Sequence, residues 1–265
     1  MLFRSMNSAA EWNDLIELLN LKAEQFNQPD FIENDPICIP HLFKTKEDIE
    51  IAGFFSATLA WGNRKTIIVN SKKLMELMDN APSDFIRNHR TADRKRFRNF
   101  KHRTFNGEDC AFFLENLQRI YIHHGGPEKI FREGLEKGNI KESLIHFRDI
   151  FLGKKKIHRA KKHISNPADN SAAKRLCMYL RWMVRKDHKG CDFGLWKKIS
   201  PAMLYLPLDV HTGTISRKLG LLKRKQNDWQ AVEEVTGILR KMDPKDPVKY
   251  DFALFGMGVS GELDF

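Results

Sequence analysis

The sequence predicts an all-α protein, and three observations predict it. Apolar residues recur at three- and four-residue spacing through nearly every long segment. Alternating Val/Ile/Thr runs bounded by turn pairs are scarce. With 265 residues, 42% of them hydrophobic, the chain can bury a real core and suits one large domain or two lobes.

Taken in order, Leu15, Leu18, Leu19 and Lys22 belong to a first helix opened near Ser8 to Asn13. Asn27 to Pro40 reads as an extended connection, because its three prolines stop helix continuation. Asp48 to about Leu59 is a helix with Ile49, Ala52, Phe55 and Leu59 on the buried stripe, and Trp61-Gly62-Asn63 breaks it. Ile67 to Met78 is the next helix, a short one follows from Ser83, and basic Arg90 to Arg103 reads as a loop or exposed turn. Glu108 to His124 and Glu142 to Phe151 are amphipathic, the first with Phe112, Phe113, Leu117 and Ile120 on one side. Gly153 to His163, with six Lys/Arg and no acid, reads as a solvated loop. Asn166 to Ser171 supplies turn and N-cap chemistry before the helix AAKRLCMYLRWMVRK, in which Trp182 is core. Leu208 to Leu219 is a later helix ended by Gly220.

Lys and Arg number 45 against 34 Asp and Glu, a formal net charge of +11 that points to an anionic partner. No apolar run approaches the roughly 18 to 20 residues that span a bilayer, and MLFRSMNSAAEWND lacks a secretory apolar region, so a cytoplasmic protein is expected. Cys38, Cys110, Cys177 and Cys191 are scattered without metal-ligand spacing. They read as reduced thiols, with no metal or cofactor expected.

The segment LPLDVHTGTISRKLGL, Leu206 to Leu221, is the most informative. Pro207 keeps the residue before it out of the helix, and Asp209 then sits where free backbone N–H groups and the helix dipole favour a carboxylate. Asp209 is read either as a plain cap or as a catalytic acid. Pro207-Leu208-Asp209-Val210-His211, with Arg217 and Gly220 behind it, resembles the signature of the helix-hairpin-helix DNA glycosylase superfamily, in which this stretch carries the essential aspartate. Leu59-Ala60-Trp61-Gly62-Asn63-Arg64 through Val69-Asn70-Ser71-Lys72-Lys73-Leu74 is similar to the early helix, turn and helix of endonuclease III-like enzymes. Tyr250 to Gly258, YDFALFGMG, is similar to their late helix. The three matches come in the superfamily's chain order.

Asn166 to Arg175 occupies the place of the hairpin, and here the sequence departs from the pattern. Asn166 to Ser171 has no glycine for phosphate approach, which makes the hairpin divergent and more similar to that of archaeal 8-oxoguanine glycosylases. If Ser171-Ala172 takes the usual Thr-Ala place, Asn170 takes that of the Schiff-base lysine. Lys174, one turn on, then reads first as a phosphate contact and second as a substitute amine.

The resemblance implies a two-lobed DNA glycosylase-like helical fold. Residues 1–47 plus 204–265 form a terminal lobe carrying Asp209, and 48–203 form the intervening lobe with the divergent hairpin. It implies a base-excision enzyme acting on damaged double-stranded DNA and hydrolysing an N-glycosidic bond, with Asp209 beside the developing sugar cation. The residues expected at the DNA are Trp61, Asn63 and Arg64 in the turn; Lys154, Lys155, Lys156 and Lys161 in the basic run; Asn170, Ser171 and Lys174 at the hairpin; Arg181 and Arg185; and His211. Lys174, Arg181 and Arg185 fall at i, i+7 and i+11, one helix face, which reads as a phosphate stripe or an ordinary solvated face. His211 and His41 read as structural histidines before acid–base groups, and Phe193 and Trp196 as core before pocket lining. The alternative function is a noncatalytic nucleic-acid-binding protein on the same scaffold, with an RNA-binding protein behind it.

Overall fold

The computed structural model describes residues 9–153 and 158–262, and its class is all-α. In chain order the helices are α1 (Ala9–Phe26), α2 (Pro29–Glu33), α3 (Lys46–Leu59), α4 (Arg64–Leu77), α5 (Pro82–Asn88), α6 (Gly107–Arg119), α7 (Pro127–Leu135) and α8 (Ile140–Leu152). They continue with α9 (Lys174–Val184), α10 (Val210–Lys218), α11 (Trp229–Met242) and α12 (Tyr250–Ser260). Among the described residues the one sheet is a two-stranded hairpin, β1 (Lys101–His102) antiparallel to β2 (Phe105–Asn106). No helix of the described residues is long and apolar enough to cross a membrane.

The chain divides into two compact units, one from the described parts of Met1–Phe31 and Asp169–Phe265, the other Ile32–Ala168. The sequence drew the breaks at 47/48 and 203/204; the contacts draw them at 31/32 and 168/169. Both differences have a local cause. Ile37 and Ile39 are buried and Ser56 Oγ on α3 donates to Pro36 O at 2.6 Å, which ties the proline segment to α3. The guanidinium of Arg185, just beyond α9, meets Asp246 at 2.8 Å, and Arg181 meets Asp251 on α12, so α9 belongs with the C-terminal helices.

The Ile32–Ala168 unit is built around α3, buried from Ile49 through Leu59. Thr45 caps it by accepting from Asp48 N–H, and the capping boxes Asn106/Asp109 and Asn139/Glu142 open α6 and α8. An aromatic core follows: Phe54 stacks on Phe113, Phe113 meets Phe151 edge-on at 4.9 Å, and Phe131 stacks on Phe147 at 4.4 Å. In the other unit α1 lies along α12, with Phe31 edge-on to Phe252 at 5.3 Å, and Trp182, Trp196 and Trp229 are fully buried.

Four expectations change. Asn27 to Pro40 is not extended; α2 and the 3-10 turns Pro36–Cys38 and Pro40–Leu42 occupy it, each with a proline at its start, where the missing N–H is not needed. Arg90 to Arg103 is more than a loop, because Phe97 and Phe100 are buried and draw the segment into a 3-10 turn and β1. The helix expected to His124 is α6 plus one π turn, Ile120–His124, ended by Gly125 at φ 74. The second half of the basic run is docked, not solvated: Arg159 donates to Asp109 at 2.6 Å and to Asn106 at 2.7 Å, and Ala160 and His163 are buried. Helices α7 and α11 are additions to what periodicity placed.

One close approach is testable. A Cβ on Gly134 of α7 would lie 2.5 Å from Ser143 Cα on α8, and Ser143 Oγ donates to Phe131 O across the same contact. Gly134→Ala should therefore separate two packed helices and lower stability by about 1–3 kcal/mol. The urea midpoint checks it, with an unchanged slope showing that the unfolded state is not the cause.

Candidate functional site

The site lies within the terminal unit, where three chain segments meet. Pro207 lies two residues before Asp209, the N-cap of α10: its Oδ1 accepts from Thr212 N–H at 3.0 Å, while Thr212 Oγ1 accepts from Asp209 N–H at 2.8 Å. The capping reading is thus correct for one oxygen. The other, Oδ2, faces Lys174 Nζ at 3.8 Å, with the two side chains 23% and 26% exposed.

Lys174 is the first residue of α9, entered from Ala173 in the left-handed region (φ 46) without a side-chain cap. A cation in the first turn sits at the positive end of the helix dipole, the unfavourable end, by about 0.3–1 kcal/mol. Asp209 supplies the compensating charge, and Met178 Sδ lies 3.4 Å from the ammonium.

Asn170 is held by a partner in the loop before α11. It is exposed, left-handed (φ 59), and its Nδ2 donates to Asp228 Oδ2 at 3.0 Å. Ser171 pairs across an antiparallel bridge with Asp228, and its Oγ accepts from Ala173 N–H at 3.3 Å. His211 is exposed and its Nδ1 lies 3.1 Å from Gly258 O, a contact that holds α10 to α12. The backbone of Asp209 is held from outside: its carbonyl accepts from Asn227 Nδ2 at 2.8 Å, and Asn227 Oδ1 accepts from Arg217 Nη2 at 2.6 Å.

Arg181 and Arg185 are not a phosphate stripe. They are 4% and 6% exposed and share Asp192, at 3.2 and 3.0 Å; Arg181 also pairs with Asp251, and Arg185 with Asp187 and Asp246, each at 2.8 Å. Both guanidiniums lie over the Phe252 ring, at 4.4 and 5.4 Å. Periodicity places an arginine on a helix face, but carboxylates from other segments decide whether that face meets water. Four arriving on two arginines make this one interior.

Behind the pair, Asp251 is buried on α12, and its carboxyl is pushed up to about 6. Burial raises it most, Arg181 opposes, Asp209 adds to the rise, and Lys174 opposes. Burial likewise pushes the Cys177 and Cys191 thiols up to about 12, so they are not nucleophiles. Among the described residues no group of three His, Cys, Asp or Glu is placed to hold a metal ion.

The other expected residues fall in the Ile32–Ala168 unit. Trp61 is half-buried, with the Arg103 guanidinium 4.6 Å from its ring and His102 edge-on. Exposed Asn63 caps α4 by accepting from Thr66 N–H, half-buried Arg64 opens that helix, and Lys161 is exposed in the 3-10 turn Arg159–His163. Lys154, Lys155 and Lys156 lie outside the described residues. Phe193 is half-buried, and Trp196 is core, edge-on to Tyr179. Asn227, Asp228 and Asp251 are at the site without having been singled out, since no spacing pattern links them to Asp209.

No curated protein and no solved structure matches the chain. One family does, over residues 35–260, which takes in α3 through α12 and with them Lys174, Asp209, Asn227 and Asp251. On that match the chain belongs to the family described as "Protein of unknown function (DUF2400)".

Proposed function

We propose that this protein is a DNA glycosylase-like base-excision enzyme acting on double-stranded DNA, with Asp209 and Lys174 as its reactive pair. The observation that carries the reading is the placement of Lys174 Nζ 3.8 Å from Asp209 Oδ2, both reachable from solvent, at the start of two helices. The three motifs that resemble the helix-hairpin-helix glycosylases supply its context.

The chemistry follows from the two groups. Breaking an N-glycosidic bond develops positive charge at C1′ of the sugar, which a fixed carboxylate stabilises. Lys174 transfers a proton to Asp209 and adds to C1′ as the neutral amine, and the base leaves with the bonding electron pair and takes up a proton. The adduct nitrogen then gives up a proton, the C1′–O4′ bond breaks with the ring oxygen taking one up as a hydroxyl, and an iminium is left on Lys174. This extends the hydrolysis expectation, in which water and not Lys174 attacks C1′.

Borohydride tests the reading, because it reduces an iminium to a stable amine. Wild type mixed with a duplex carrying one abasic site should give a covalent adduct, and Lys174→Ala should bind the duplex without forming it. Duplex binding with neither an adduct nor base release on any lesion duplex would assign the protein to the noncatalytic binders. No duplex binding at low salt would overturn both readings.

A further inference from the structure

We propose that adjacent residues Asn227 and Asp228, in the loop between α10 and α11, are positioning residues that set the distance between Lys174 and Asp209. The inference rests on the reading of that pair as reactive. Each of the two residues grips one of the two segments that deliver the pair. Asn227 Nδ2 donates to the Asp209 carbonyl at 2.8 Å, while its Oδ1 is held by Arg217, whose Nε donates to Arg224 O at 2.8 Å. Asp228 Oδ2 accepts from Asn170 Nδ2, Trp229 N–H donates to Asn170 O at 3.1 Å, and Ser171 pairs with Asp228 across the bridge.

Three features make this a brace and not a set of incidental surface bonds. The segment it grips, Asn170 to Ala173, has two left-handed residues and no side-chain cap on α9; its internal side-chain bond, Ser171 Oγ accepting from Ala173 N–H, stops short of the helix. The loop is anchored at its base: Asp228 caps α11 through Ala231 N–H, Arg224 donates to both its oxygens, and Trp229 is buried. The Arg224 hydrogen bond holds the Asp228 carboxyl down to about 2, which keeps it an acceptor throughout the working pH range. Finally, α10 leaves room for the contact at Gly213, where a Cβ would lie 2.6 Å from Asn227 Oδ1.

Asn227→Ala releases Asp209, and Gly213→Ala displaces Asn227 while leaving it in the sequence. Two readouts separate this inference from the function on which it rests. The first is the ¹³C resonance of reductively methylated Lys174, assigned by its loss in Lys174→Arg; Asp209→Asn defines its position without the carboxylate. Asn227→Ala and Gly213→Ala should both move the resonance toward that position. The second is the rate of borohydride trapping on the abasic duplex, which should fall about 10-fold or more in both variants with duplex affinity little changed, since small misplacements of reacting groups have effects of this size or larger. A Lys174 resonance that stays at its wild-type position in Asn227→Ala overturns the brace, whatever the trapping result. A wild type that gives neither adduct nor base release overturns the proposed function and leaves the brace to be judged by the resonance; base release without an adduct overturns only the covalent step at Lys174.

Discussion

On the proposed function, replacing Asp209 by Asn should slow base release by about 100-fold or more while leaving the melting temperature and duplex affinity close to wild type. Asn keeps an acceptor for Thr212 N–H and is nearly as good an N-cap, so α10 retains its start. What disappears is the charge on the oxygen that faces Lys174. The sugar cation loses its stabilising anion, and the lysine loses its proton acceptor. The ammonium of Lys174 is left at the positive end of α9, but both groups are partly exposed, so the stability cost is no more than about 1 kcal/mol. Asp209→Ala separates the roles further: it removes the cap as well, and should lower stability by roughly 0.5–2 kcal/mol. Base release, duplex affinity and melting temperature on the three proteins distinguish the two roles. An Asn variant with full turnover would reduce Asp209 to a cap.

Arg181→Met should destabilise the protein by about 3–5 kcal/mol, the largest stability effect expected of a single site here. Methionine fills much of the same volume, so the loss is electrostatic: buried Asp251 is left without its guanidinium, and buried Asp192 keeps only that of Arg185. Asp251→Asn should be far milder, because an amide still accepts from Arg181 and Asp251 is itself pushed up to about 6, mainly by burial. The pH dependence has a definite sign. A carboxyl whose folded value lies above its unfolded one, near 3.9, holds its proton more tightly in the folded state. Its contribution is complete below about pH 4 and is lost as pH rises through about 6. Across that window, the urea midpoint of wild type should therefore fall relative to that of Asp251→Asn. Parallel profiles for the two proteins would show that Asp251 stays ionised, with Arg181 winning over burial.

Local rules placed most of what is local in this protein. The all-α class, the break at Trp61-Gly62-Asn63, the burial of Trp182 and the cap at Asp209 follow from spacing, turn residues and capping chemistry, which act within a few positions of the chain. The prolines of Asn27 to Pro40 show where such rules stop: they forbid a helix from continuing and equally favour new turns starting, and burial of Ile37 and Ile39 selected the second. Charge was least legible. An arginine at helix spacing is the same letter whether it faces phosphate or a buried aspartate, and the carboxylates that decided Arg181 and Arg185 stand up to 70 positions away. The same holds for Arg159, docked on Asp109 across 50 positions, and for Lys174, whose neighbour Asp209 belongs to a different helix. Sequence alone determined which groups the chain owns and most of the helices that carry them. Only the tertiary structure decided which charges face each other, because Coulomb and hydrogen-bond energies depend on distances of a few ångströms that sequence separation does not encode.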